Sequence, residues 1–418
     1  MSLKLVRGTK DIFENENMHF RKILNLFREV SERYGYKEIS TPIIEYSEVF
    51  EKTLGESSDV VSKEMYKFKD RSGNNLTLRP EGTAGIARAF ISGKMKNQLP
   101  IRFLYNGPMF RYERPQKGRF RQFHQIGVEL LGVSGCQADV EVIALGYHIL
   151  KDLGLIDKVS LLINSLGDFE SRENYKKELI KYLNFYKSDL SKESLIRLDK
   201  NPLRILDSKN ETDIKILENA PKFIDFLNQK SKSFFDETCK GLEILNIPFD
   251  IDANLVRGFD YYCHTAFEFV TKELGSQNAV IAGGRYDGLI SSMGGEDTPG
   301  VGWAAGLERL GLLIPEVKDL KRPVSLLSVS NNSEILISKL ASELRYDGFI
   351  VNIISGGNIS KSIQKSNKIK SKYVIIVGEE ELESGLFPVK DLDTGEQNNI
   401  ILDEICTFLR GLDHDRPK

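Results

Sequence analysis

Phe123, Gln125 and Glu129 share one face of the second of two strands that are predicted within residues 105–131. Successive side chains of a strand point to opposite faces, so Phe123, Gln125 and Glu129 fall on the same side. The residues between them are mostly apolar, which suits a core. A solvated outer face would explain any one of the three. A ring, an amide and a carboxylate at this spacing, beside many cations, point instead to a binding site.

Cations are concentrated just before this strand. Residues 102–121 carry six basic residues and one acid, Glu113, although the 418-residue chain has a net charge of only -2. The segment ERPQKGR contains Pro115 and Gly118, which interrupt strand pairing and predict a loop between two strands. On the first strand, Arg111 and Glu113 are expected to share a face. The basic patch is therefore local and belongs to the candidate site.

Arginines with glycine-rich neighbours occur in three separate segments, as Arg111, Arg257 and Arg309. The guanidinium group donates paired hydrogen bonds and stays charged, which suits phosphate. No P-loop or GxGxxG pattern opens a helix after a strand. An arginine cluster with Phe123 as a platform for adenine therefore predicts an ATP site of another kind.

A second ligand would meet acids and hydrogen-bonding groups. Glu81 and Thr83 lie at a predicted strand-to-helix junction, where Thr83 is expected to cap the helix. Glu81 could equally be a first-turn acid that favours the helix dipole. Together with Gln125, Glu129 and Tyr262, these residues would bind a molecule rich in donors. The histidines form no ligand motif, and His124 is expected to be a core histidine, so no protein-bound metal is predicted.

The wider sequence predicts several structural modules. Apolar residues at helical spacing predict a helix from Glu16 to Tyr34, and residues 168–243 are lysine-, asparagine- and glutamate-rich and predict a helical insertion. From Pro323 a βαβαβ alternation predicts a separate α/β domain, whose lysines could be solubilising or could contact nucleic acid. Four scattered cysteines and the lack of a long apolar run favour a reduced, cytoplasmic protein without a membrane span. The residues alone thus predict an ATP-using α+β enzyme.

Six segments resemble one known family in that family's order. RGTKDI, TLRPEGT, FRYERPQKGRFRQFHQ, LVRGFDYY, AGGRYDG and GLERL are similar to the histidyl-tRNA synthetases, which are class II aminoacyl-tRNA synthetases. The resemblance implies an α+β fold: a class II catalytic domain over residues 1–322, built on an antiparallel sheet with the helical insertion at about 168–243. It also implies an anticodon-binding α/β domain at 323–418. The implied activity converts L-histidine and ATP into histidyl-adenylate and then charges tRNA(His).

The resemblance also implies roles for individual residues toward histidine. Glu81, Thr83 and Gln125 would hold its α-amino group. Glu129 and Tyr262 would recognise the imidazole N–H groups, with Tyr261 in the same pocket. An amino acid that left the buried Glu129 unpaired would be rejected.

The remaining roles concern the reaction, ATP and the tRNA. Arg257 and Arg111 would be catalytic, with Arg257 facing the reacting carboxylate and the α-phosphate. The residues implied in ATP binding, with Mg²⁺ on the phosphates, are Arg111, Glu113, Arg119, Phe123 and Arg309. Arg114 and Gln116 would meet the acceptor end of the tRNA. The segment ISTPIIEY resembles the family's homodimer interface.

Two alternatives remain at the level of sequence. One is a non-catalytic relative that binds regulatory partners in histidine biosynthesis; such proteins lack the anticodon-binding domain. The other is a class II synthetase for a different amino acid, which LVRGFDYY disfavours. Phe259 and Cys263 depart from the family pattern beside the pocket and leave its details open.

Overall fold

The computed structural model describes residues 3–55, 58–208, 210–256, 261–275, 278–315, 321–329, 333–355 and 358–414. The chain forms two compact units, Met1–Glu316 and Val317–Lys418. Each unit has its own sheet and its own hydrophobic core.

The first unit contains an eight-stranded and a three-stranded sheet. Its strands are β1 (Lys37–Glu38), β2 (Ile44–Tyr46), β3 (Tyr66–Lys69), β4 (Asn75–Leu78), β5 (Ile101–Phe110), β6 (Gln122–Leu131), β7 (Ser160–Ser165), β8 (Asp250–Ile251), β9 (Cys263–Val270), β10 (Ala279–Arg285) and β11 (Gly300–Gly306). The large sheet has the order β1-β5-β6-β11-β10-β9-β7-β8 and is antiparallel except at its two outermost pairs. The small sheet, β2-β4-β3, is antiparallel. The predicted antiparallel core is confirmed.

Helices cover this sheet and form the insertion. They are α1 (Glu14–Arg33), α2 (Ser47–Leu54), α3 (Thr83–Ser92), α4 (Gln137–Asp152), α5 (Phe169–Phe185), α6 (Lys192–Lys200), α7 (Glu211–Leu217), α8 (Gln229–Ile244), α9 (Leu289–Ser292) and α10 (Leu307–Leu313). The apolar faces of α1 and α4 pack with inward residues of β6 and β11 in one core, which includes Phe27, Val128, Ile143 and Trp303. This packing fixes β6, the strand that carries the polar face.

The insertion has a small core of its own. Asp168 caps α5 by accepting a hydrogen bond from the Ser171 backbone N–H at 2.9 Å, so the first helix begins where the composition changes. Leu179, Leu198 and Ile205 are buried in a cluster that belongs to the insertion. In the described residues of this stretch, four α-helices and short 3₁₀ segments occur where helices were predicted.

The second unit has the predicted alternation of strands and helices. Its elements are β12 (Val324–Ser328), α11 (Glu334–Tyr346), β13 (Val351–Ser355), α12 (Ile359–Lys368), β14 (Tyr373–Val377), α13 (Glu379–Ser384), β15 (Leu386–Asp391), β16 (Gln397–Ile401) and α14 (Ile405–His414). The sheet order is β13-β12-β14-β15-β16, parallel in the first three strands and antiparallel in the last two. The added edge strand β16 was not predicted.

One local prediction about the basic loop was wrong. Strand β5 ends at Phe110, so Arg111 and Glu113 belong to the loop and not to a strand face. The pairing of β5 with β6 ends here because the next backbone N–H groups have other partners. The Glu113 N–H donates to the Arg111 carbonyl at 2.8 Å, and the Tyr112 N–H donates to the Glu64 carbonyl at 2.7 Å. Both Arg111 and Glu113 nevertheless line the same cleft. In the described part of the chain, no helix has the length and apolar character needed to cross a membrane.

Candidate active site

A cleft of about 610 Å³ opens over the face of the large sheet that carries the polar residues of β6. Its lining includes ten of the residues singled out from the sequence: Glu81, Thr83, Arg111, Glu113, Arg119, Phe123, Gln125, Tyr261, Tyr262 and Arg309. Segments far apart in the chain therefore meet at one place. Glu129 lies beneath this lining, hydrogen-bonded to Thr83.

Glu129 is a buried carboxylate, 1% exposed, held by two hydroxyl groups. Thr83 Oγ1 donates to Oε1 at 2.7 Å, and the Tyr286 hydroxyl donates to Oε2. Burial raises the pKa of Glu129 to about 8, although both hydrogen bonds act to lower it. Gly302 lies opposite Glu129 in the sheet, and a Cβ there would overlap Oε2. The glycine leaves room for the carboxylate.

Thr83 does not cap its helix, contrary to expectation. The first residue of α3 turns its hydroxyl toward Glu129, and the N-terminal end is satisfied by Glu81 instead. The Glu81 carboxylate accepts hydrogen bonds from the backbone N–H groups of Thr83 and Ala84, each at 2.7 Å. Glu81 thus fulfils the structural role that was considered for it and lines the cleft as well. Burial raises the pKa of Glu81.

Aromatic rings and an amide complete this half of the cleft. The rings of Tyr261 and Tyr262 lie 4.5 Å apart between centroids, and Tyr286 meets Tyr261 edge-on at 5.8 Å. Gln125 Oε1 is buried and accepts no hydrogen bond from the residues that the structure describes. An acceptor left unsatisfied in a binding cleft is suited to a ligand that brings a donor, such as an amino group.

The other half of the cleft is rich in charge. Arg111 donates from Nε to the Pro80 carbonyl at 2.9 Å, and its guanidinium lies 5.4 Å from the centre of the Phe123 ring. Its Nη1 is 3.7 Å from Glu113, which also pairs with Arg119. The backbone contact and the ion pairs hold these charged groups at the cleft, which all three residues line.

Arg309 lies beside this cluster. Its Nη1 donates to the Ala279 carbonyl at 2.7 Å. Burial lowers the pKa of Arg309; among its charged neighbours, Arg119 lowers it and Glu113 raises it. Of the predicted cluster of Arg111, Arg257 and Arg309, Arg111 and Arg309 line the same cleft together with Arg119, and Arg257 lies outside the described residues.

Arg114 and Gln116 lie apart from the cleft lining. Both side chains are exposed in the loop between β5 and β6, whose tip is closed by paired backbone hydrogen bonds between Gln116 and Arg119 at 3.0 and 3.1 Å. Arg257 lies outside the described residues. The structure thus separates loop residues that face solvent from those that face the cleft.

Sequence reasoning gave Tyr286 no role and misjudged the surroundings of His124. Tyr286 follows β10 within AGGRYDG and was given no role, although a tyrosine after a glycine-rich strand was a usable signal. His124 was expected to be a core histidine, but it is partly exposed and its Nδ1 lies 2.9 Å from Glu308 Oε1. The Glu308 carboxylate also accepts from the His124 backbone N–H at 3.0 Å, joining β6 to the helix that carries Arg309. The polar partner comes from a segment 184 residues away, which strand alternation could not reveal.

A resident metal would need a cluster of ligating side chains. Over the described ranges, no group of three or more histidine, cysteine, aspartate or glutamate side chains is placed to hold an ion. All four cysteines are free thiols, and burial raises the pKa of Cys263 to about 12. The chemistry of the cleft rests on arginines, carboxylates and tyrosines.

Comparisons with known proteins agree over nearly the whole length. The sequence model described as Histidyl-tRNA synthetase matches residues 8–310, and the one described as Anticodon binding domain matches residues 324–412. A histidine–tRNA ligase of Rhodospirillum rubrum is 52% identical over 409 residues, covering 98% of this chain and 99% of the relative. One from Wolbachia pipientis subsp. Culex pipiens is 48% identical over 404 residues, covering 97% and 99%.

A solved structure shares the fold. The crystal structure of apo S. aureus histidyl-tRNA synthetase has a TM-score of 0.82 at 34% identity, covering 97% of this chain and 99% of that chain. The sequence resemblance, the antiparallel core and the second domain all agree with the same family. The chain belongs to the histidyl-tRNA synthetase family.

Proposed function

We propose that the cleft carries out both steps of histidine charging, with one half for histidine and the other for ATP. The observation that carries this assignment is the buried Glu129, held by Thr83 and Tyr286 beside a cluster of three arginines. A carboxyl group fixed in this way has a defined direction for a further hydrogen bond with an imidazole nitrogen, which an apolar side chain could not provide.

In the histidine half, Glu129 and Tyr262 bind the imidazole and Tyr261 lines the pocket. The α-amino group is held by Glu81, Thr83 and Gln125. The unsatisfied Gln125 Oε1 supports this role, because it is an acceptor ready for an ammonium donor. The buried carboxylate of Glu81 adds negative charge near the same group.

In the first step, the histidine carboxylate attacks the α-phosphate of ATP and pyrophosphate leaves. Arg111 binds the α-phosphate and, with Arg257, stabilises the charge that develops there. Phe123 stacks on the adenine, while Glu113 and Arg119 lie by the rest of the nucleotide and Arg309 binds at its γ-phosphate. Arg257 lies outside the described residues and takes its role from the resemblance alone.

Mg²⁺ enters this proposal as a partner of the ATP phosphates. Glu113 and Glu268 both line the cleft together with Arg309, the residue proposed for the γ-phosphate end. Mg²⁺ is typically held by one or two carboxylates plus substrate phosphates, so this donor set fits. When bound, the ion would shield the phosphate charge.

In the second step, a hydroxyl group of the terminal adenosine of tRNA(His) attacks the histidyl carbonyl and AMP leaves. Arg114 and Gln116 are exposed in the loop that also carries the cleft-lining Glu113 and Arg119, and exposed loop side chains can meet the acceptor end. The domain at residues 323–418 binds the anticodon in this proposal, and the match at 324–412 supports it. The non-catalytic alternative lacks such a domain.

The working form that we propose is a cytoplasmic homodimer. Apolar side chains on and beside the small sheet remain exposed in the single chain: Ile43 at 40%, Ile44 at 50%, Tyr46 at 53% and Phe68 at 41%. A second copy would bury them, which agrees with the resemblance of ISTPIIEY to the family's dimer segment. The four free thiols are typical of a reducing compartment.

The proposal is tested by charging. Purified protein is incubated with ATP, Mg²⁺, labelled histidine and tRNA(His), and acid-precipitable label is counted. We expect label to accumulate on the tRNA in proportion to enzyme. Histidine binding without charging would favour the non-catalytic relative. Charging with another amino acid would favour a class II synthetase for that amino acid.

A further inference from the structure

The helical insertion contributes its own side chains to the cleft. Arg204 and Leu206, in the 3₁₀ helix Pro202–Asp207, line the cleft together with Asp59 and Val60 of the catalytic core. Neither residue has a role in the proposed function, on which the following inference rests.

Packing fixes the orientation of this short helix. Ile205 is buried in the insertion's core, and Leu203 and Leu206 pack against the same core, whereas Arg204 between them lines the cleft. The Arg204 carbonyl accepts from Arg197 Nη1 at 3.2 Å, and Nη2 of the same arginine lies 3.8 Å from Asp59. The insertion therefore rests against residues 58–64 of the core and presents Arg204 at the cleft.

Residues 58–64 adjoin the nucleotide half. The Glu64 carbonyl accepts from the Tyr112 N–H at 2.7 Å, next to Arg111. Burial raises the pKa of Glu64, and the charges of Glu113, Arg111 and Arg119 act on it as well. The core segment that supports the insertion thus borders the proposed phosphate site.

Carboxylate residues outnumber arginines in the lining of the cleft. As far as the structure describes it, the lining has seven carboxylate residues: Asp59, Glu64, Glu81, Glu113, Asp252, Glu268 and Glu308. It has four arginines: Arg111, Arg119, Arg204 and Arg309. A polyphosphate entering an acidic cleft gains from every arginine that can reach it. Three of the four already have phosphate roles here.

We propose that Arg204 binds a substrate phosphate, so that the helical insertion supplies part of the active site. The phosphate has two possible sources, the triphosphate of ATP and the terminal nucleotide of the tRNA. The position of Arg204 beside the segment that adjoins Arg111 and Glu113 favours ATP. Arg204 binds and positions; it forms no covalent bond in either step.

The test measures pyrophosphate exchange, which needs no tRNA, and tRNA charging at saturating ATP. We expect Arg204→Ala to raise the KM for ATP in exchange about tenfold, as loss of a charge-assisted hydrogen bond would do, with the KM for histidine unchanged. Arg204→Lys should recover part of the loss. Lys215→Ala is the matched control, because it removes one charge from an exposed position of the same insertion.

Each outcome is decisive. Normal exchange with slowed charging assigns the bound phosphate to the tRNA and supports the inference. Wild-type behaviour in both assays overturns it. A lower Tm with both KM values raised indicates a structural role and also overturns it. Failure of the wild type to exchange with histidine would refute the proposed function itself, and this inference with it.

Discussion

The hydroxyl group of Tyr286 donates to Glu129 across 157 residues of sequence, joining the end of β10 to β6 beneath the cleft. Thr83, at the start of α3, holds the other oxygen of the same carboxylate. Three separate elements therefore set the direction in which Glu129 can accept a hydrogen bond. In the proposed function, recognition of histidine depends on this geometry as well as on the presence of the carboxyl group.

Tyr286→Phe removes one of these hydrogen bonds and leaves the ring. We expect the KM for histidine to rise about tenfold and the KM for ATP to stay within twofold, because the lost contact positions only the carboxyl group that is proposed to bind histidine. Steady-state pyrophosphate exchange measures both constants. Tyr346→Phe, at a position 94% exposed in the other unit, is the control. An equal rise in both KM values would mean that Tyr286 supports the whole cleft.

Gly302→Ala places a methyl group against Glu129 Oε2. We expect the free energy of unfolding to fall by about 1–3 kcal/mol, as in other overpacked sites, and histidine binding to weaken as Glu129 is displaced. Denaturant unfolding and calorimetric titration with histidine report the two effects. Gly288→Ala is the control, since a Cβ there meets open space. Unchanged histidine affinity would contradict the assigned position of Glu129.

The pKa of Glu129, raised from 4.5 to about 8, gives stability a pH dependence. Between these values the folded protein holds a proton that the unfolded chain has lost. The free energy of unfolding therefore falls as the pH rises through this window and levels off above it. In Glu129→Gln this component should be absent, as denaturant unfolding between pH 5 and 9 would reveal.

The control for this pH series is Glu218→Gln, an exposed carboxylate of the insertion. It should follow the wild type. Parallel curves for Glu129→Gln and the wild type would show that Glu129 is already ionised at neutral pH in the free protein.

Arg114→Ala tests whether the exposed residues of the loop between β5 and β6 serve the tRNA and not ATP. Because Arg114 is exposed outside the cleft lining, we expect tRNA charging to slow about tenfold while pyrophosphate exchange is unaffected. Arg21→Ala, an exposed arginine of α1, is the control. Equal loss in the two assays would place Arg114 in the nucleotide site.

Local sequence patterns were sufficient to predict part of the candidate site and the helix beneath it. The period-two alternation along β6 correctly grouped Phe123 with Gln125, and helical spacing located α1 to within two residues at each end. Alternation works here because one face of β6 packs against α1 and α4, whereas the other lines the cleft.

Other parts of the candidate site depend on contacts between residues that lie far apart in the sequence, which local patterns do not predict. Thr83 was expected to cap α3, since a threonine at a helix start usually does, but a buried carboxylate 46 residues away is its partner. Arg204 drew no attention because its surroundings resemble a solvated helical surface. Only the folded insertion places it at the cleft.

The central claim is that this cleft activates histidine, and exchange of labelled pyrophosphate into ATP measures that step directly. The assay is run with histidine and, separately, with each of the other amino acids, without tRNA. We predict label in ATP only when histidine is supplied, and its loss in Glu129→Gln. Exchange that is absent with histidine, or equally strong with another amino acid, would contradict the account.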